Sequence, residues 1–321
     1  ILDLPSGKRS AGYRGRNRGV SDVAFSPDGS LVASTGEWEV RIWKVETGTP
    51  VRKYPATATF VSFTQDGRSL VAGGGDAFVR LWDLDEDNPP QARPRTSLYE
   101  HGGRVYWLAF SPEGDGLASV GEEGRLIIWD PTPGSVETEL VAPGRPVEDV
   151  AFARDGRLAV AARGEGVHFL DATTGTATAR LGGSGEEWLC VAASRRRERL
   201  AAVSTAGMVS VWDLRTDRAP RAWQVGWGDG LHSLAFSPDG EMLAVCRWDD
   251  AGDAVLLFDA GGGTLHSFGA NVPRTVAFSP DGRLVAFESQ NDVLVCDVEK
   301  RMRVCTIRGH RYSIQALSFS P

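Results

Sequence analysis

At 321 residues, with 41% hydrophobic and 24% charged side chains, the chain has the composition of folded globular material and is too apolar for wholesale disorder. No window approaches 18 uninterrupted apolar residues and Ile1-Leu2-Asp3-Leu4 lacks the basic start and apolar body of a leader, so no helical membrane span is expected and the default compartment is the cytoplasm. The net charge of −7 argues against a nucleic-acid backbone as the main ligand.

In chain order, the first strong signal is Ala24-Phe25-Ser26-Pro27-Asp28-Gly29. It returns as Ala109 to Gly114, Ala235 to Gly240 and Ala277 to Gly282, in worn form as Ser62 to Gly67 and Ala151 to Gly156, and in part as Ser318-Phe319-Ser320-Pro321. Each copy is an apolar pair running into a tight turn: Pro presets φ, Asp bonds its own backbone, and Gly takes the residue with φ above zero. The register residues Phe25, Phe63, Phe110, Phe152, Ala193, Phe236, Phe278 and Phe319 are separated by 38, 47, 42, 41, 43, 42 and 41 positions. A period near 42 means one supersecondary unit stacked many times.

Within each period four short strands are predicted, as in Val20 to Phe25, Leu31 to Ser34, Val40 to Trp43 and Pro50 to Tyr54, and no segment keeps a helical period over ten residues. Units are expected at about 16–54, 55–100, 101–142, 143–183, 184–226, 227–268 and 269–309, with partial units 1–15 and 310–321. Four antiparallel strands repeated seven times predict an all-β chain, a seven-bladed β-propeller forming a single domain, with eight blades as the alternative. The ragged ends favour a segment of a longer protein.

The third strand carries a resemblance. Leu81-Trp82-Asp83-Leu84, Ile128-Trp129-Asp130 and Val211-Trp212-Asp213-Leu214, with degraded versions elsewhere, resemble the W-D ending of WD40 repeats, in register with the turn motif. That resemblance implies a buried His–Ser/Thr–Asp–Trp network in each repeat. Only Glu100-His101 and Gly309-His310 keep the His, and Glu37 and Glu123 replace the Asp that survives at Asp76, so few repeats are expected to complete it. The resemblance also implies partner contacts three and five positions after the His slot and just before the tight-turn Asp. Carried onto this sequence, the first set gives Arg104 and Tyr106, Pro146 and Glu148, Glu187 and Leu189, His232, and Val272 and Arg274; the second gives Glu122 and Arg163. Trp227 in a His slot, and Trp248 and Trp38 in loops at the same end, add aromatics of the kind that anchors interfaces. Trp107 and Trp188 are expected in the core.

No catalytic constellation emerges. His101, His168, His232, His266 and His310 lie in five different units without metal-ligand spacing, and Ser26, Ser111, Ser237 and Ser279 sit in repeated turns, whereas a catalytic residue need occur only once. Neither a metal nor a cofactor is expected. Asp249, Asp250 and Asp253 read as an acidic turn rather than a calcium loop, and Ser194-Arg195-Arg196-Arg197-Glu198-Arg199 as a solvated charge run. Cys190, Cys246, Cys296 and Cys305 are expected as free thiols; a two-residue hairpin near Val298 to Arg301 would set Cys296 opposite Cys305. Only Lys8, Lys44, Lys53 and Lys300 among 35 basic residues are lysines, which reads as a GC-rich, bacterial genome. The expected function is a non-catalytic platform binding a protein or peptide partner, as a module of a larger regulatory protein. The alternative is a propeller enzyme, or a small-ligand or metal binder, using the axial channel.

Overall fold

Each repeat becomes one antiparallel sheet. The computed structural model describes residues 2–3, 8–9, 20–36, 38–84, 93–99, 101–111, 114, 116–129, 138–140, 147–162, 164, 166–172, 174–181, 186–194, 196–216, 219–226, 230–249, 252–308, 310 and 313–321. Sheet 1 runs Val20–Phe25, Leu31–Gly36, Glu39–Lys44, Pro50–Pro55, and sheet 2 runs Phe60–Phe63, Ser69–Gly73, Val79–Asp83, Thr96–Leu98. Sheet 3 comprises Val105–Phe110, Leu117–Gly121, Leu126–Trp129 and Thr138–Leu140; sheet 4, Val147–Phe152, Leu158–Ala162, Gly166–Leu170 and Ala177–Leu181. Sheet 5 comprises Trp188–Ala193, Arg199–Ser204, Met208–Asp213 and Arg221–Gln224; sheet 6, Leu231–Phe236, Met242–Arg247, Ala254–Asp259 and Thr264–Gly269. Sheet 7 comprises Val276–Phe278, Leu284–Ser289, Asp292–Asp297 and Met302–Ile307, and Leu2–Asp3 pairs antiparallel with Lys8–Arg9. Seven sheets of four antiparallel strands are the architecture of a seven-bladed β-propeller, and the described residues contain no helix.

By contacts the chain divides into two units, Ile1–Arg125 with Trp129–Val136 and Gln315–Pro321, and Leu126–Ile128 with Glu137–Ile314. Sheets 1 and 2 belong to the first unit, sheets 4 to 7 to the second, and sheet 3 contributes strands to both.

The second strands explain why the sheets stack. Leu158–Ala162 is buried at every position, as is Ser69–Gly73, because both faces of each sheet are covered. Strands covered on both faces read as continuous small apolar runs rather than alternations. In the first unit, Ile42 and Tyr54 of sheet 1 pack with Val61, Phe63 and Leu70 of sheet 2, and Tyr54 stacks on Trp82 with ring centres 4.8 Å apart. In the second unit, Phe169 of sheet 4 shares a core with Trp188 and Trp212, and Phe268 of sheet 6 one with Phe287 of sheet 7.

The repeated turn does its expected local work. Ser26 Oγ donates to Asp28 Oδ1 (2.5 Å) and accepts from the Leu31 N–H (2.9 Å), Gly29 N–H closes the turn on the Ser26 carbonyl (2.9 Å), and Gly29 has φ +70°. The Ser26 hydroxyl and then the Ser30 groups hold the exposed Asp28 carboxyl down at about 2. The turns also touch one another: a Cβ on Gly67 would meet Pro27 Cδ at 3.5 Å, and one on Gly282 would meet Pro238 Cδ at 3.4 Å. Pro321, in the last partial copy, stands to Gly29 in the same way at 3.6 Å.

A second contact between sheets uses carboxyl groups that the turn motif does not reveal. Asp22 Oδ1 accepts from Val23 N–H (2.8 Å) and its Oδ2 from Val61 N–H of sheet 2 (3.0 Å). Asp149 repeats the geometry, with Val150 N–H on Oδ1 (2.8 Å) and Val191 N–H of sheet 5 on Oδ2 (2.9 Å). The shared sequence Asp-Val-Ala-Phe, at 22–25 and 149–152, is the signal that marks them. Burial outweighs these donors and raises Asp22 to about 6 and Asp149 to about 7.

The cysteines are free, as expected. Cys296 pairs across with Arg303 and Cys305 with Val295, so the two do not face each other; the register shifts between Val295 and Cys296, which displaces the expected two-residue alignment.

Because folded Asp149 keeps its proton to about 7 and an unfolded Asp releases it near 3.8, its contribution to stability is complete below about 4 and lost as pH rises to about 7. Urea unfolding from pH 4 to 7 is expected to show Asp149→Asn relieved of a decline approaching about 1.4 kcal/mol per pH unit. Parallel pH profiles for the two proteins would contradict this.

Candidate functional site

Antiparallel connectivity sorts the loops into two ends. The first-to-second and third-to-fourth turns share one end of each sheet; the second-to-third hairpins and the links from one sheet to the next share the other. Of the positions singled out from the sequence, those among the described residues lie at this second end.

A local irregularity places several of them. The pairing of first and second strands shifts register between Val105 and Trp107, Val147 and Asp149, Trp188 and Cys190, Leu231 and Ser233, and Val20 and Asp22. The skipped residues are Tyr106, Glu148, Leu189, His232 and Ser21, so the position five after the His slot is a β-bulge in sheet after sheet. A bulge turns an extra side chain out of the ladder, and bulges recur beside functional sites. Tyr106 and His232 are exposed, and Glu148 is half-buried.

In the first unit Arg104 and Glu122 lie side by side: Glu122 N–H donates to the Arg104 carbonyl (2.8 Å), and Arg104 N–H approaches Glu122 Oε2 at 3.4 Å. Both are exposed, next to Tyr106 in the chain. Trp107, expected in the core, is 39% exposed and meets Phe60 edge-on, with ring centres 4.7 Å apart. Trp188 is buried as expected, and Trp38 is 70% exposed.

In the second unit three singled-out residues converge. The His232 ring centre lies 5.5 Å from that of Trp248, and the Arg274 guanidinium carbon stands 5.9 Å from the Trp248 ring. They come from a bulge, a second-to-third hairpin and the link between sheets 6 and 7. Trp248 remains 42% exposed, so the stack presents an aromatic face flanked by cationic and imidazole groups. Glu187 is exposed at the same end of sheet 5, its carbonyl accepting from Thr205 N–H (2.8 Å). Arg163 and Trp227 lie outside the described residues.

Beneath this surface the His network forms in sheet 3. His101 Nδ1 meets Glu123 Oε1 at 2.6 Å, His101 Nε2 meets Ser119 Oγ at 2.6 Å, and Trp129 Nε1 donates to the same hydroxyl at 2.6 Å. Glu123 thus takes the Asp role. Burial, opposed by Glu123, depresses the His101 pKa. In sheet 1 Trp43 Nε1 donates to Ser34 Oγ (3.2 Å), in sheet 2 Trp82 Nε1 has no hydrogen-bond partner among the described residues, and Asp76 pairs with Arg80 at 2.8 Å.

The remaining charged clusters are occupied internally. Arg197 and Arg199 both reach Glu241 (2.6 and 3.1 Å), and Arg154 donates to the Arg196 carbonyl (2.7 Å). Asp253 accepts Val272 N–H (2.8 Å) and Asp249 lies 3.5 Å from Arg247; Asp250 is outside the described residues. Among the described residues no group of three His, Cys, Asp or Glu side chains could hold a metal ion.

A family model described as "WD domain, G-beta repeat" matches residues 7–44, 48–83, 92–130 and 224–251. Two of these stretches end on Trp-Asp, at Asp83 and Asp130. The chain is 28% identical over 154 residues to WD repeat-containing protein SL1-17 of Schistosoma mansoni, covering 47% of this chain and 49% of that one. It is 26% identical over 202 residues to Echinoderm microtubule-associated protein-like 2 of Rattus norvegicus, covering 60% of this chain and 30% of that one. With Protein NEDD1 of Mus musculus it shares 28% identity over 128 residues, 39% of this chain and 19% of that one. The chain thus spans about half the length of the first of these relatives and less of the others.

Removing the hydroxyl shared by His101 and Trp129 leaves two buried nitrogens unpaired. Ser119→Ala is expected to cost about 2–4 kcal/mol in urea unfolding, whereas Ser34→Ala, which loses one long bond, costs about 1 kcal/mol. Because the folded pKa of His101 lies below the ordinary 6.5, the stability it contributes is present above that value and is lost as pH falls below it; His101→Gln should flatten that part of the profile.

Proposed function

Starting from the partial match to WD40 repeats, we propose that the chain is a non-catalytic platform that binds a protein or peptide partner at the second end of its sheets, which bears Arg104, Tyr106 and Glu122 in the first unit and Glu148, Glu187, His232, Trp248 and Arg274 in the second, with Arg163 and Trp227 in the same set. The observation that carries this reading is the stack of His232, Trp248 and Arg274, in which an exposed tryptophan is flanked by two polar rings or forks from separate loops. Tryptophan, tyrosine and arginine supply most interface anchors. Within each unit, sheets buried on both faces hold such side chains at fixed separations, so little ordering entropy is spent on binding.

Partial coverage of each relative supports a module within a larger regulatory protein, and the printed name of one relative, a microtubule-associated protein, is in keeping with a protein partner in general. Free cysteines support a cytoplasmic setting, and the arginine bias supports a bacterial source.

Affinity capture from a lysate should recover partners with the intact chain and lose them with the triple variant Arg104→Ala, Tyr106→Ala, Arg274→Ala, while Arg215→Ala at the opposite end of sheet 5 keeps them. Equal recovery by the triple variant refutes the assignment of this end.

A further inference from the structure

The link between sheets 6 and 7 joins two features that the sequence kept apart. On one side Arg274 stands over Trp248. On the other, Gly269, Ala270 and Asn271 line a polar cavity of about 340 Å³, completed by the hairpin residues Ser289, Gln290 and Asp292 and by Arg303, Thr306 and Arg308 of and beyond the fourth strand of sheet 7. It is a shallow depression open to solvent, not an enclosed chamber.

The link is held firmly. Asp253 accepts Val272 N–H (2.8 Å) and its carbonyl accepts Ala270 N–H (3.3 Å). Asn271 N–H donates to Ser289 Oγ (3.0 Å), and its carbonyl accepts Gln290 N–H (2.8 Å). The loop therefore fixes Arg274 and the cavity wall relative to each other.

The charges are unevenly spent. Arg308 lies 3.6 Å from Asp292 and is largely exposed. Arg303 makes no ion pair among the described residues. Glu288 is buried, accepts from Ile314 N–H on Oε1 (2.8 Å) and from the Arg274 backbone N–H, and attracts the Arg274 charge, while Asp253 serves the link backbone. Among the described residues neither the Arg274 nor the Arg303 guanidinium makes an ion pair or side-chain hydrogen bond, and such forks, one over the exposed Trp248 and one in the cavity wall, select an anionic partner.

We propose that this surface of the second unit recognises an acidic peptide segment, an apolar side chain lying on Trp248 and carboxylates on Arg274 and, within the cavity, on Arg303. Asn271, Ser289, Gln290 and Thr306 supply hydrogen-bonding groups along the cavity wall. The assignment rests on the platform reading above and names its partner's chemistry.

The test uses the full chain and fluorescence anisotropy with a fluorescein-labelled octapeptide, a phenylalanine–leucine pair flanked on each side by three glutamates, and its counterpart with glutamines. Saturable binding of the glutamate peptide, weaker by about tenfold or more for the glutamine peptide, is expected. Arg274→Gln and Arg303→Gln should each weaken it about three- to tenfold and Trp248→Ala about tenfold or more, with Arg215→Gln unchanged. All four positions are exposed or nearly so, and thermal unfolding of each variant verifies the fold. Equal binding of the two peptides, or binding indifferent to Arg274 and Arg303 in folded variants, overturns the proposal. Capture that depends on Arg104, Tyr106 and Arg274 while the glutamate peptide fails to bind overturns the acidic-peptide assignment alone, leaving the platform reading in place.

Discussion

Burial of both faces of each sheet is the constraint on which the rest of the structure depends. The second strands have no solvent side, so they are built from Ala, Val and Leu, and neighbouring sheets meet through large side chains such as Tyr54, Trp82, Phe169 and Phe287. At about 25 cal/mol per Å² of apolar surface removed from water, such packing dominates any single polar contact. That is why the His–Ser–Trp network can be complete in sheet 3 while Trp82 Nε1 of sheet 2 finds no hydrogen-bond partner among the described residues, without loss of the strand pattern.

Polar groups then decide spacing and direction rather than bulk stability. The proline of one turn rests against the glycine of the next, and Asp22 and Asp149 each capture an N–H of the following sheet. Bulges at Tyr106, Glu148, Leu189 and His232 then turn side chains out at the end away from the repeated turns. The proposed binding surface is assigned to that end because the repeated turns at the other end spend their Ser, Asp and Gly groups locally.

The fold was legible because its signals are periodic: Phe at fixed intervals, a Pro-Asp-Gly turn and a Trp-Asp strand end each repeat, and a repeat can be read without knowing any contact. The candidate site was legible in part. Positions tied to the repeat, such as Tyr106, His232 and Arg274, could be located by counting, and Trp248 by its loop. What counting missed depends on neighbours in space. Trp107 occupies the same strand position as Asp22 and Asp149, but its exposure follows from which groups surround it, and Cys296 and Cys305 were displaced from each other by a register shift that no spacing announces. The cavity beside Arg303 was invisible for the same reason, since its wall combines a link, a hairpin and an outer strand that lie far apart in sequence.

The central claim is that recognition belongs to the end carrying the second-to-third hairpins and the links between sheets. Amide hydrogen exchange with a captured partner tests it most directly. Added protection at residues 103–107, 121–123, 231–233, 247–249 and 269–275, with the turns at 26–29, 237–240 and 279–282 exchanging as before, is the result the account predicts. Protection centred on those turns instead would contradict it.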